Sequence, residues 1–272
     1  MTTLLVLLLV GAAGGFVAGL VGVGGGVIFG PALFFVFGAA GVTDPVLTPL
    51  TLGTSLLCTF AASASGTVGQ WKHGAIDRRT ALVTGAFAAV AVVLVGRFVS
   101  TQPWYDKRTF QVVLGLSLVA VVARMLTGGA RADAYTAADA RTAPPRLAAV
   151  GGAAGTISAL AGIGGGVVLV PAFAGLVRLP TAVASGTSTA AITVITAVGV
   201  ATYVFLGWDA PVPPGALGYV DWRGAAALAL PAVVTARLGV STAHRIDVRY
   251  VRYSFAAFAA VVAARLLWNA FS

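Results

Sequence analysis

Charge is confined to short intervals of this 272-residue chain. Residues 1–43 carry no Asp, Glu, Lys or Arg, and neither do residues 46–71, 147–177 and 179–208. A charge-free run of roughly 18 or more residues is long enough to cross a bilayer as a helix. Four such runs do not fit a water-soluble fold. Of all residues, 58% are hydrophobic and 9% charged, against about 25% charged in an average soluble domain. A fold of this size has no interior large enough to hide that apolar excess. The five tryptophans, Trp71, Trp104, Trp208, Trp222 and Trp268, fall at the ends of apolar segments. There the indole ring meets acyl chains and its N–H meets headgroups. The chain is therefore read as a polytopic, all-α membrane protein.

The net charge of +9 does not change this reading. The basic residues sit in short loops, as orientation in a membrane requires, and form no dedicated polar face, so no nucleic-acid partner is expected. The N-terminal segment lacks a basic n-region and an A-x-A-like cleavage site, and is expected to be a retained helix. A single cysteine, Cys58, excludes an internal disulfide.

The chain repeats itself. GGFVAGLVGVGGGVIFGPAL (14–33) returns as AGTISALAGIGGGVVLVPAF (154–173), so that Gly22, Gly24, Gly25, Gly26 and Pro31 fall on Gly162, Gly164, Gly165, Gly166 and Pro171. Gly53-Thr54-Ser55 returns as Gly186-Thr187-Ser188, and Gly74-Ala75-Ile76-Asp77-Arg78-Arg79 as Gly218-Tyr219-Val220-Asp221-Trp222-Arg223. Asp106, Arg108 and Arg124 match Asp247, Arg249 and Arg265. Blocks kept in one order over most of the length define two homologous transmembrane halves. The expected division is a first repeat at 1–127, a polar linker at 128–146 and a second repeat at 147–272.

Each half offers five apolar segments, at 3–22, 25–39, 46–70, 80–99 and 109–126, then at 147–162, 165–177, 181–207, 224–241 and 250–269. A straight helix over 4–38 would be about 52 Å long, against about 30 Å of hydrocarbon, so the chain must turn at the glycine cluster. The hairpin returns the chain to its starting face, and three further crossings make the total odd. The halves are thus expected to be inverted repeats, with about eight to ten membrane segments and glycine-rich broken or re-entrant helices. Inversion places Arg97, Lys107, Arg108, Arg223 and Arg265 on one face and the other 12 of the 17 Lys and Arg residues on the opposite face. Parallel halves divide the same residues 8 to 9. The bias favours inversion, with the linker in the cytoplasm.

The chain has no glutamate, and its eight aspartates all fall in loops or at span ends. Cation and proton carriers usually hold carboxylates inside the membrane, so the pattern speaks against a cation as the main cargo. The glycine motifs have the opposite character. They let backbone approach a ligand closely, and they lead into helices whose first N–H groups lack partners and face the positive end of the helix dipole. Gly24, Gly25, Gly26, Gly164, Gly165 and Gly166 are therefore candidate anion-binding residues, with Thr54, Ser55, Thr187 and Ser188 as hydroxyl donors. Charge-assisted hydrogen bonds contribute about 1.5–3 kcal/mol each. Four to six of them would offset a desolvation penalty of several kcal/mol.

Structural roles compete with this assignment: glycines allow close helix packing and hydroxyls bond back to their own helix. Cys58 reads as a small apolar filler, His73 as a solvated loop residue, and Arg124 and Arg265 as interface anchors. No metal cluster, nucleophile–base pair or Walker loop is present, so neither cofactor nor catalysis is expected. On the residues alone, another anion, a neutral solute and a metal cation stay open as cargo. A membrane-embedded enzyme is the second class, with only Cys58 and the hydroxyls to serve it.

At GVGGGVIFGP with GIGGGVVLVP, the two Gly-Thr-Ser blocks, and GAIDRR with GYVDWR, the chain resembles the TauE/SafE sulfite exporter family, also grouped as toluene sulfonate uptake permeases. The likeness covers nearly the whole chain. It implies a secondary transporter in a bacterial or archaeal plasma membrane, with a small sulfur-containing anion such as sulfite or an organosulfonate as its partner.

Overall fold

The computed structural model describes residues 2–127, 143–243, 245 and 249–271. Among the described residues, ten α-helices occupy the ten expected apolar segments. In the first half they are α1 (Thr2–Val21), α2 (Gly26–Ala39), α3 (Leu47–Lys72), α4 (Arg78–Val95) and α5 (Lys107–Thr127). In the second half they are α6 (Pro144–Ala161), α7 (Gly166–Gly175), α8 (Thr181–Leu206), α9 (Trp222–Ala243) and α10 (Arg249–Phe271). Most of the expected linker, from 128 to 142, lies outside the described residues.

Local chemistry sets the boundaries. Asp77 caps α4 by accepting from the Thr80 N–H at 3.1 Å. Asp106 caps α5 by accepting from the Thr109 N–H at 2.9 Å, and these Thr109 hydrogen bonds hold its carboxyl below the usual carboxylate range. Pro144 and Pro145 open α6, where their missing N–H groups leave no helical bond unmade.

Two features are not legible as apolar segments. α4 runs on into a π-helical turn, Gly96–Ser100. There the Ser100 hydroxyl shares a 2.6 Å hydrogen bond with Tyr203, and Thr101 donates to the Gly96 carbonyl at 2.9 Å. A two-residue hairpin, β1 (Ala216–Leu217) with β2 (Val220–Asp221), leads into α9.

Among the described residues, five helical stretches are long and apolar enough to cross a membrane: Leu4–Val21, Leu47–Lys72, Arg78–Ser100, Thr181–Leu206 and Trp222–Ala243. α2 and α7, at 14 and 10 residues, reach only about 21 and 15 Å at 1.5 Å per residue. The short arm of each hairpin is therefore too short to cross. The outward faces of α4 and α9 are apolar, with Leu82, Phe87, Val90, Leu230 and Val234 exposed, whereas Thr51, Thr59, Thr187, Ser188 and Thr196 are fully buried. An apolar exterior, with the hydroxyls held inside, suits a lipid solvent. All five tryptophans are exposed, Trp71, Trp222 and Trp268 near helix ends and Trp104 and Trp208 in the adjoining loops.

The halves interlock. α1 lies parallel to α9, with Gly11, Gly15 and Gly19 against the backbone of Leu228, Ala232 and Ala236. The equivalent helices do the same: Gly151 and Gly155 of α6 lie against Thr84 and Ala88 of α4. A small residue every fourth position lets each pair of backbones touch. α3 and α8 cross at the centre and run antiparallel, since Gly53 meets Tyr203, Leu56 meets Gly199 and Gly66 meets Thr189. α5 and α10 are antiparallel too, with Gly115 against Leu267 and Arg108 over the Phe271 ring.

Candidate functional site

α1 and α6 each end in a glycine turn, Gly22–Gly25 and Gly162–Gly165, from which the short helices α2 and α7 depart. Gly24 and Gly164 hold φ of 79° and 76°, a region a Cβ strongly disfavours. The third glycines differ: Gly25 is right-handed at −74°, while Gly165 is left-handed at 79°. The two turns meet in the middle of the molecule. A Cβ on Gly26 would strike the Cα of Ile163, and one on Gly166 would strike the carbonyl of Val23. Backbone therefore touches backbone, and the six motif glycines, Gly24–Gly26 and Gly164–Gly166, are all buried and brought together.

Neither short helix has a side-chain cap. Beyond the turns, Ile28 and Val168 are the first residues whose N–H groups find acceptors, the carbonyls of Gly25 at 2.9 Å and Gly165 at 3.0 Å. Among the described residues no group accepts from the N–H of Gly24–Val27 or Gly164–Val167. Two helix N-termini thus present free donors, with their positive dipole ends, to one buried junction.

The hydroxyls of the paired Gly-Thr-Ser blocks tie the halves to each other. Ser55 donates to the Gly162 carbonyl at 2.8 Å, and Ser188 donates to the Gly22 carbonyl at 2.9 Å. Each half therefore clasps the glycine turn of the other. One residue further round each helix, Thr54 accepts from the Asp221 N–H and Thr187 from the Asp77 N–H, both at 2.9 Å. A serine that donates its single proton to a carbonyl has none left for an anion, whereas a threonine used as acceptor keeps one.

Thr59, on α3 one turn beyond Ser55, was not among the sequence candidates. It is fully buried, its Oγ1 has no hydrogen-bond partner, and that oxygen lies 2.8 Å from where a Cβ on Gly26 would sit. Its repeat equivalent is Ile192, so a search for repeated hydroxyls passes over it; the four-residue spacing from Ser55 was the signal available.

A cavity of about 700 Å3 opens between the end of α2, the 40–46 loop, the Pro211–Pro214 segment and the start of α9. Leu33 and Leu50 line its inner wall, and Asp44, Asp221 and Arg223 also line it. Both carboxylates are occupied by donors: Asp44 by the Lys107 N–H at 2.9 Å and the Thr48 hydroxyl, Asp221 by the N–H groups of Arg223 and Gly224. Among the described residues that line the cavity, Arg223 is the one Lys or Arg, its guanidinium 5.5 Å from the Trp222 ring centre.

The remaining polar candidates lie apart from the junction. Cys58 is buried with its thiol toward the Ala225 carbonyl at 3.8 Å, which suits a filler. His73 is exposed in the α3–α4 loop. Arg265 stacks over Phe35 at 5.0 Å, while the Arg124 side chain lies outside the described residues. Among the described residues no group of three or more His, Cys, Asp or Glu is placed to hold a metal ion.

Comparison with known proteins bears on this arrangement. The family model described as Sulfite exporter TauE/SafE matches residues 7–266. A probable membrane transporter protein of Haemophilus influenzae is 27% identical over 265 residues, covering 96% of this chain and 97% of the relative. One from Methanocaldococcus jannaschii is 26% identical, covering 90% and 88%. One from Xylella fastidiosa is 31% identical over 71% of each chain. No solved structure matches the chain.

Proposed function

Because the chain belongs to the sulfite exporter TauE/SafE family of membrane transporters, we propose that its cargo is a small sulfur-containing oxyanion such as sulfite or an organosulfonate. The meeting of two uncapped helix N-termini at one buried junction carries the proposal. Amides of Gly24–Gly26 and Gly164–Gly166 supply the donors, and the dipoles of α2 and α7 supply the positive potential. Thr54 and Thr187 keep a proton each to donate. Ser55 and Ser188 hold the carbonyls of Gly162 and Gly22, respectively, and so keep acceptor oxygens away from the anion. Transport is secondary, and no cofactor takes part.

The two halves act as inverted repeats in this proposal. Support comes from the antiparallel course of the equivalent helices α3 and α8, and α5 and α10. Further support comes from charge. Lys107, Arg108, Arg223 and Arg265 gather at the end of the bundle that holds Asp44, Phe35 and Phe271, where inversion puts the sparser basic group. Exchange of the halves' conformations, which already differ at Gly25 and Gly165, would open the site alternately to the two faces.

The test is binding of sulfite, methanesulfonate, thiosulfate, acetate and chloride to purified protein, read as a shift in melting temperature. A ligand at 100 times its Kd stabilises the protein by about 2.7 kcal/mol, so one sulfur oxyanion is expected to raise the melting temperature progressively with concentration. Equal shifts from acetate or chloride, or none from any sulfur anion, would refute the cargo assignment. Arg223→Ala is expected to raise the half-saturating concentration for uptake about threefold to tenfold and to weaken its salt dependence, with melting unchanged. Identical uptake and salt dependence would remove Arg223 from the entry path.

A further inference from the structure

We propose that the Thr59 hydroxyl is the side-chain ligand of the transported oxyanion and orients it toward the N-terminus of α2; this rests on the anion reading of the glycine junction. Four other buried threonines of the two central helices satisfy themselves locally. Thr51 donates to the Leu47 carbonyl, Thr189 to Ser185, Thr196 to Ile192 and Thr202 to Val198, all four residues back and within 2.9 Å. Thr59 makes no such bond. Its oxygen is turned off its own helix and toward Gly26, the first residue of the 14-residue helix α2. Its methyl group faces the other side of the junction, where Cβ atoms on Gly24 and Gly164 would lie 3.2 and 2.9 Å away. The hydroxyl therefore stands beside Gly26, at the N-terminus of α2 and at the point where the two glycine turns touch.

The repeat makes the position informative. Thr59 and Ile192 are equivalent residues that flank the same junction, and both lie against Gly24 and Gly164. A purely structural junction between repeated halves has no need of an unpartnered hydroxyl where the equivalent position holds isoleucine. A bound oxyanion gives it a partner. Oxygen atoms of the anion face Thr59 and α2, and its non-oxygen side, the sulfur lone pair of sulfite or the carbon of a sulfonate, faces Ile192. The turns touch in this conformation, so the anion enters when they part.

The experiment compares wild type, Thr59→Val and Thr59→Ser for sulfite binding by thermal shift and for melting temperature without added anion. Thr59→Val keeps the shape and removes the hydroxyl. It is expected to weaken sulfite binding roughly tenfold or more, while melting without anion stays at or above the wild-type value because an unpartnered buried oxygen is gone. Thr59→Ser is expected to bind within about threefold of wild type. Wild-type affinity in Thr59→Val overturns the assignment alone. A large drop in its anion-free melting temperature also overturns it, since that shows a structural partner for the hydroxyl. Failure of the wild type to bind sulfite, methanesulfonate or thiosulfate overturns the anion reading and this assignment with it.

Discussion

Gly166→Ala is expected to be strongly destabilising, although it adds one methyl group to a helix that would otherwise favour it. Alanine exceeds glycine in helix propensity by about 1 kcal/mol, and the same change at Gly175, in the same helix, meets open space. At Gly166 the Cβ would be driven into the carbonyl and Cα of Val23, in the glycine turn of the other half. Both partners are backbone, so no rotamer change relieves the overlap. Either the turns separate, and the Ser55 and Ser188 clasps are lost with them, or α7 shifts. Overpacking of this kind is expected to cost more than about 3 kcal/mol. For a chain of this size that is a fall of roughly 6–12 °C in melting temperature. Gly26→Ala should behave alike, because its Cβ strikes Ile163. Gly175→Ala and Gly152→Ala, both into open space, should melt within about 1 °C of wild type. Thermal melts and detergent size-exclusion profiles of the four variants check this, and a stable Gly166→Ala protein would mean that the glycine turns do not touch. The neighbouring glycines are no better probes of binding. A Cβ at Gly25 meets the Phe29 ring and one at Gly165 meets the Ala154 carbonyl, so any larger residue there confounds folding with transport.

Much of this architecture is written along the chain. In a bilayer, burial of backbone polar groups forces helices, so charge-free intervals locate them almost directly; α8, expected at 181–207, is found at Thr181–Leu206. The glycine motifs are legible for a similar reason, since a turn inside the membrane must be built from residues without side chains. What escapes is whatever depends on a partner far away in sequence. The π-helical turn at Gly96–Ser100 is tied to Tyr203 of the other half, and the β1–β2 hairpin to Thr54. The hydroxyls show the limit most clearly. Ser55 and Thr54 are adjacent and both repeated, yet one donates to a glycine carbonyl 107 residues away and the other accepts from an N–H 167 residues away. Repetition marked them as important but did not distinguish donor from acceptor. It also hid Thr59, whose partner in the repeat is an isoleucine.

The Thr54→Val, Thr187→Val double variant is expected to lose about 2–6 kcal/mol of stability, in two nearly equal and additive parts. Valine keeps the shape of threonine but cannot accept a hydrogen bond, so the N–H groups of Asp221 and Asp77 lose their acceptors at part-buried positions. The consequence extends one step further. The carboxylate of Asp221 accepts from the Gly224 N–H at the start of α9, and that of Asp77 accepts from the Thr80 N–H and hydroxyl at the start of α4. Each threonine therefore positions the residue that caps a helix of the other half, and a loosened loop weakens the cap as well, an effect of about 1 kcal/mol in helices generally. The two sites are equivalent in the repeat and lie on different helices with no shared partner, which is why additivity is expected. Thermal melts of both single variants, the double variant and the serine substitutions check the argument. Serine retains the acceptor oxygen, so Thr54→Ser and Thr187→Ser should recover most of the loss. If one valine variant is far more damaging than the other, the two clasps are not equivalent. If serine recovers nothing, the methyl group rather than the hydroxyl holds the loop.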